Sequence, residues 1–262
     1  MRRGGVRASV PVLVLLRELL LDALFPIECL VCARPLRGTA SRAGPLCAAC
    51  RDATPAPPPP LCTRCGVPVA PRHPSPEDVT CAACVSQPPA FARARGAALY
   101  EPGPMRSPLV AAVHALKYHG ARSVARSLAL LMVTRLPVPA DVLIVPVPLH
   151  PARLRERRFN QAVLIAREVG RLSSRPTAPR ALARRLPTTP QTQLPGAARR
   201  RNLADAFHVR QPQAIAGRHV LVVDDVITTG ATADACARVL LAAGAHRVDV
   251  YAAGRTPIAG RP

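Results

Sequence analysis

Eight of the nine cysteines fall into four Cys-x-x-Cys pairs: Cys29/Cys32, Cys47/Cys50, Cys62/Cys65 and Cys81/Cys84. Two thiolates spaced by two residues reach one ion from a tight turn, and a second such turn completes a tetrahedron. Fourteen residues separate the first two pairs and fifteen the last two, lengths that suit a short hairpin. The pattern predicts two zinc ribbons, each with four thiolate ligands. Four thiolates close the coordination sphere and leave no open position for chemistry, so the zinc is structural. A disulfide framework is the rival, and paired Cys-x-x-Cys turns in a cytosolic setting favour metal over it. A redox dithiol needs one activated pair beside a helix, not four evenly placed ones. Sequential pairing of the first four and last four cysteines is simpler than a cross-braced arrangement, although spacing alone leaves both open. Cys236 stands alone in a helical pattern and reads as a small core residue.

A second group of residues offers different chemistry. Val220 to Val223 form an apolar run that delivers Asp224 and Asp225 to the lip of a sheet. Thr228-Thr229-Gly230-Ala231-Thr232 follows as a turn opening a helix. Such a turn presents free backbone N–H groups and hydroxyls to an anion, with the helix dipole adding attraction and Gly230 allowing close approach. Carboxylates beside a phosphate cradle repel the phosphate unless they face something else. Vicinal sugar hydroxyls are their natural partner, so a phosphorylated ribose satisfies both halves.

The elements that must position these groups can be read from the same pattern. Residues 94–100 read as a strand, 106–117 and 121–136 as helices, and Val142–Val145 as a buried strand closed by Pro146, Pro148 and Pro151. A helix over 159–172 follows, then strands at 181–185 and 205–209 around a long polar loop. The last unit is strand Val220–Val223, loop Asp224–Thr229, helix Gly230–Ala243 stopped by Gly244, and strand Val248–Ala252. The expected fold is therefore α/β, an open, mainly parallel sheet with flanking helices and a ligand site off the carboxyl ends of its strands. Three parts are expected: an amphipathic helix over 1–25, the double zinc ribbon over 26–90, and the α/β domain over 91–262. Residues 54–60 form a polyproline spacer between the ribbons, 68–78 are again rich in Pro, and Gln87-Pro88-Pro89 marks the boundary with the sheet domain. Metal must supply the ribbons' stability, because modules so small cannot bury enough apolar surface.

Composition narrows the class. With 262 residues and 49% hydrophobic content the chain can bury a core, which excludes a disordered or fibrous protein. The net charge of +21 favours phosphate-bearing partners, whether nucleotides, nucleic acid or an anionic surface. Of the 36 basic residues only Lys117 is a lysine, and the only asparagines are Asn160 and Asn202. Residues 150–203 hold thirteen Arg against Glu156 and Glu168, a net +11 and about half of the whole excess. Residues 10–27 are rich in Leu and Val, but Arg17, Glu18 and Asp22 interrupt them short of a membrane span or a clean signal peptide. No membrane span is expected, and a cytoplasmic location is.

The stretch Val220–Thr232 resembles the ribose-phosphate signature of type I phosphoribosyltransferases. Together with His114-Ala-Leu-Lys117-Tyr118-His119-Gly120, Val145-Pro-Val-Pro148-Leu-His150-Pro, Arg158-Phe159-Asn160-Gln161, Thr188-Thr-Pro-Gln191, Arg199–Asn202 and Ala206-Phe207, it is similar to the ComF family. That family joins a double zinc ribbon to a type I phosphoribosyltransferase-like domain and is associated with DNA uptake in competent bacteria. The resemblance implies that Asp224 and Asp225 hold the ribose 2′- and 3′-hydroxyls, while Thr228, Thr229, Gly230, Ala231 and Thr232 hold the 5′-phosphate. It also implies that the loop after Val145 lies near the pyrophosphate and that residues 186–203 close over the site. Lys117, His150, Arg153 and Arg158 are the candidates for pyrophosphate or loop contacts. Thr228 stands where relatives that salvage 6-oxopurines carry an acid, which weighs against purine salvage. Only residues 253–262 follow the final strand, so covering the base position falls to the zinc module or residues 94–120. Two functions are implied: Mg2+-dependent transfer of ribose 5-phosphate from phosphoribosyl pyrophosphate to an acceptor, or a non-catalytic DNA-uptake factor. In the second, ribbons and arginines grip single-stranded DNA within the competence machinery, and the sheet domain senses nucleotide. An aromatic content of 3% with no Trp leaves that second function few stacking platforms.

Overall fold

The computed structural model of the chain describes residues 27–69, 79–101, 103, 107–184 and 206–257. The expected helix over 1–25, most of the Pro-rich stretch 68–78, and the expected closing loop 186–203 lie outside the described residues. In the first ribbon, strands β1 (Ile27–Glu28) and β2 (Pro35–Leu36) pair antiparallel and carry Cys29 and Cys32 in their turn. A short helix α1 (Thr39–Arg42) leads to α2 (Ala48–Asp52), whose N-cap is Cys47. The second ribbon repeats this plan. An antiparallel bridge between Leu61 and Pro68 flanks the Cys62–Cys65 turn, and Cys81 is the N-cap of α3 (Ala82–Ser86). Only the first pair of each ribbon sits in a hairpin turn. The second pair opens a single helical turn, whose geometry brings i and i+3 side chains to one face.

The sheet domain runs β3 (Arg93–Leu99), α4 (Pro108–Tyr118), α5 (Val124–Arg135), β4 (Val142–Pro146), α6 (Pro151–Arg157), α7 (Gln161–Ser173), β5 (Leu182–Arg184), β6 (Phe207–Val209), α8 (Pro212–Ile215), β7 (His219–Ile227), α9 (Ala231–Ala242) and β8 (Arg247–Arg255). Four strands form one parallel sheet in the order β3-β8-β7-β4, and β5 and β6 form a separate antiparallel pair. Alternating side chains divide the interior. Leu221, Val223, Tyr251 and Ala253 face α4, α5 and α7, whereas Val220, Val222, Val250 and Ala252 face α9, β5/β6 and the second ribbon. The fold class read from the sequence is the one observed.

Two local differences have physical causes. The helix α6 was expected as loop, because Pro148 and Pro151 read as punctuation. Pro151 instead occupies the first helical turn, where its missing N–H costs nothing. The expected loop over Asp224–Thr229 is corrected to strand as far as Ile227, since β8 continues alongside and pairs Val226 with Gly254 and Ile227 with Arg255.

Both ribbons and the spacer between them dock on the sheet domain through hydrogen bonds to their main-chain carbonyls. Ala94 of β3 donates to the Arg64 carbonyl at 2.6 Å, and Leu99 donates to the Pro55 carbonyl at 2.8 Å. The 54–60 spacer is thus held along β3. Arg135 reaches the carbonyls of Arg51 and Asp52 in the first ribbon, and Ser127 Oγ donates to Ala43. Among the described residues no helix is long and apolar enough to cross a membrane.

Candidate functional site

The eight cysteines gather as two sets of four, Cys29/Cys32/Cys47/Cys50 and Cys62/Cys65/Cys81/Cys84, with the ligand atoms of each set within 4.8 Å of one another. This resolves the pairing as sequential. Backbone amides supply the polar surroundings that thiolates need: Cys47 N donates to Cys29 Sγ at 3.4 Å, Cys50 N to Cys47 Sγ at 3.3 Å, and Cys81 N to Cys62 Sγ at 3.3 Å. Each set favours one thiolate at the start. A hydrogen bond from the Cys65 thiol, against the cost of burial, brings Cys62 down to about 4. For Cys29 burial opposes ionisation, but the amides of Cys47, Cys32 and Val31 outweigh it and leave the thiol at about 6. Burial pushes Cys84 up to about 12, and Cys50 and Cys65 are raised as well, Cys65 chiefly by its bond to Cys62. Four soft ligands gathered among backbone amides fit Zn2+, which would bind all four as thiolates by displacing the remaining thiol protons.

The acidic pair sits on β7 at its carboxyl end, one residue on each face of the sheet. Asp225 is buried, 4% exposed, and its Oδ2 meets Lys117 Nζ from the last turn of α4 at 2.5 Å. Asp224 keeps an opening to solvent and accepts a hydrogen bond from the Asp225 amide at 2.8 Å. Burial, and then the charge and hydrogen bond of Asp225, push the Asp224 carboxyl well above the usual range, with Asp225's amide and Lys117 opposing. Thr228 and Thr229 are exposed, and Gly230, Ala231 and Thr232 are partly so, so the turn after β7 opens to solvent. Gly230 is the N-cap of α9 at φ 83°. A Cβ there would meet only Phe91 at 3.9 Å, so it is the left-handed backbone and not crowding that calls for glycine. Asp234 in the first turn of α9 is turned aside, accepting from the Ala90 amide and pairing with Arg238.

The other candidates divide. Lys117 is brought to the acidic pair. His150 caps α6, its Nδ1 accepting from Ala152 N at 3.2 Å; burial and the charges of Arg184, Arg155 and Arg153 hold its pKa down. Arg153 is exposed on α6, and Arg158 ends that helix at φ 60°. Asn160 accepts from Ala162 N and donates to the Val147 carbonyl, each at 2.9 Å. It therefore ties the start of α7 to the loop after β4, a double role that Asp cannot fill.

Two residues escaped the sequence reading. Arg184 on β5 is half-buried over Phe207 at 5.4 Å, and its charge is felt at both His150 and the Cys236 thiol behind Asp224. Arg255 ends β8 completely buried. Its guanidinium donates to the carbonyls of Cys65, Ile227 and Thr256, each at 3.1 Å, and to that of Thr228. Neither stood out in a chain so rich in arginine. The only signal was the position of Arg255 at the end of the last apolar strand.

Comparison with known proteins adds to this geometry. Residues 20–85 match the model of the double zinc ribbon domain. The chain is 33% identical to the DNA utilization protein YhgH of Salmonella typhi over 237 residues, 87% of this chain and 90% of that protein. It is 33% identical to YhgH of Escherichia coli O157:H7 over 205 residues, 75% and 84% of the two chains. Competence protein F of Haemophilus influenzae is 34% identical over 113 residues, 43% of this chain and 49% of that one. Among solved structures, the allosteric regulatory enzyme of purine biosynthesis aligns with a TM-score of 0.37 and 21% identity, over 50% of this chain and 25% of that chain.

Proposed function

The chain belongs to the ComF family, which takes in the DNA utilization and competence proteins just described, and from that premise we propose that it binds phosphoribosyl pyrophosphate with Mg2+. The observation that carries this reading is the placing of Asp224 and Asp225 at the carboxyl end of a parallel strand, directly before the solvent-open Gly230 turn of α9. Ribose hydroxyls would meet Asp224, while Asp225, buried against Lys117, would hold that lysine at the strand end. The 5′-phosphate would sit on the Thr228–Thr232 turn, where free amides and the α9 dipole attract it. Lys117, at the same strand end, offers a cation to the pyrophosphate and keeps Asp225 from repelling it. The half-buried Arg184 and the arginines of α6 add positive potential on the β4 side.

Mg2+ would be held mainly by substrate oxygens and water, and supplies charge neutralisation to the leaving pyrophosphate. The protein's own part in transfer to an acceptor is positioning and charge screening around C1. A cytoplasmic site of action accords with the phosphoribosyl ligand. Isothermal titration with phosphoribosyl pyrophosphate and Mg2+ tests the reading. The paired change Asp224→Ala and Asp225→Ala should weaken binding by about 100-fold, as loss of charged hydrogen bonds does. Unchanged affinity would overturn the site.

A second reading concerns DNA. A groove of about 350 Å3 between the first ribbon and helices α5 and α7 is lined by Arg42, Arg122, Arg126 and Arg167, with Glu168 the one acid. Its net positive lining suits a phosphodiester backbone, and it shares no lining residue with the acidic pair. Single-stranded DNA affinity should fall steeply with salt and lose about one unit of salt slope for each of Arg122→Ala and Arg167→Ala. No binding at low salt would end this reading.

A further inference from the structure

We propose that zinc in the second ribbon governs the order of the Ile227–Gly230 turn, with Arg255 as the positioning residue that joins them. A buried guanidinium normally faces a carboxylate, because an unmatched charge in the interior is costly. Arg255 is fully buried, yet among the described residues every hydrogen bond it makes goes to main-chain carbonyls, from three separate segments. Its Nε takes the carbonyl of Cys65, a zinc ligand. Its Nη1 is shared among the carbonyls of Ile227, Thr228 and Thr256. The planar fork thus fixes the metal-binding turn and the end of β7 relative to each other.

The metal-binding turn cannot drift away while its ion is held. Gly66 closes it at φ 68°, with the Ala94 carbonyl so near that a Cβ would lie 2.4 Å from it. Arg95 on β3 donates to the carbonyls of Cys62 and Thr63 at 3.2 and 3.1 Å. The Cys62–Cys65 turn is therefore gripped on its carbonyl side by two arginines and on its sulfur side by the ion. Without the ion, the four sulfurs lose the one atom that ties Cys62 and Cys65 to Cys81 and Cys84. The turn relaxes, Arg255 loses its Cys65 acceptor, and the carbonyls of Ile227 and Thr228 lose a fixed donor. The coupling is a property of the fold. Its consequence for a ligand rests on the phosphoribosyl reading, because Thr228–Thr232 is the proposed phosphate cradle. Linkage makes that consequence reciprocal, so a ligand ordering the turn must also retain the metal.

Amide hydrogen exchange on the full chain tests this, with zinc counted by native mass spectrometry. Removing zinc with a chelator should speed exchange at Ile227–Ala231 by about ten-fold, the usual scale of such coupling, while the Val142–Val145 amides of β4 stay protected. Arg255→Lys keeps the charge but not the fork. It should hold both zinc ions, show fast exchange at Ile227–Ala231 from the outset, and be indifferent to the chelator. If removal of zinc opens β4 as well, the metal-loaded Arg255→Lys protein decides alone. Exchange like the parent's at the turn in that variant, or a turn unmoved by zinc removal in the parent, would overturn the proposal. Phosphoribosyl pyrophosphate with Mg2+ should slow zinc release from the parent and not from Arg255→Lys. Exchange coupling without any ligand binding would sink the phosphoribosyl reading and leave the zinc-to-turn link standing.

Discussion

Asp224 and Asp225 are adjacent in the chain and opposite in circumstance. Strand alternation sends one towards α9 and the buried Cys236 and the other towards α4 and Lys117, so only one is paired with a cation. Lys117→Met should therefore destabilise the protein by about 3 kcal/mol, because it leaves the Asp225 carboxylate buried and unmatched. Adding Asp225→Asn should restore much of that loss, which urea denaturation of both variants would measure. Asp224 behaves in the other sense. Its pKa is raised in the folded protein, so the native state holds this proton more tightly than the unfolded chain. That contribution to stability is complete below the unfolded carboxylate's value and is lost as pH rises through the folded value. Asp224→Asn should accordingly raise the melting temperature by a few degrees at pH 8, with little effect at pH 3 to 4.

At the scale of elements, caps and backbone conformation decide more than composition does. Gly230→Ala forces a left-handed residue with a Cβ at the start of α9 and should cost about 1 kcal/mol in thermal unfolding. Asn160→Ala removes a cap and a tie to Val147, and should cost 1 to 2 kcal/mol, with Asn160→Asp recovering only the cap. Much of this was legible beforehand. The Val142–Val145 and Val220–Val223 runs, the Gly244 stop and the Cys-x-x-Cys spacings gave the strands, helix and ligand sets in their right places. What remained hidden was tertiary in origin. The extension of β7 depends on how far β8 runs beside it, and α6 depends on Pro151 opening a helix. The pairing of Lys117 with Asp225 joins residues 108 positions apart, which no local pattern reveals. Arg255 carries the same lesson. Its neighbours are supplied by folding, and among so many arginines its type conveys nothing.

For the molecule as a whole, positive charge is spread over at least two places, the strand ends near Arg184 and the groove beside the first ribbon. Mixed competition follows from that division. A short oligonucleotide should leave phosphoribosyl pyrophosphate affinity within two-fold, whereas raising salt from 50 to 200 mM should weaken DNA binding by an order of magnitude or more, as counterion release demands. Paired titrations would show it.

The hydrogen bonds that Ala94 and Leu99 donate to the ribbons have one more consequence. β3 is the outermost strand of its sheet, with β8 on one flank and Arg64, Pro55 and the Arg135 side chain on the other. The metal-bound modules therefore act as a sheath over a border that would otherwise recruit a strand from another molecule. A version of the protein shortened to begin near Phe91 should fold its sheet and then self-associate. Intact protein stripped of zinc should do the same more slowly, as light scattering would record.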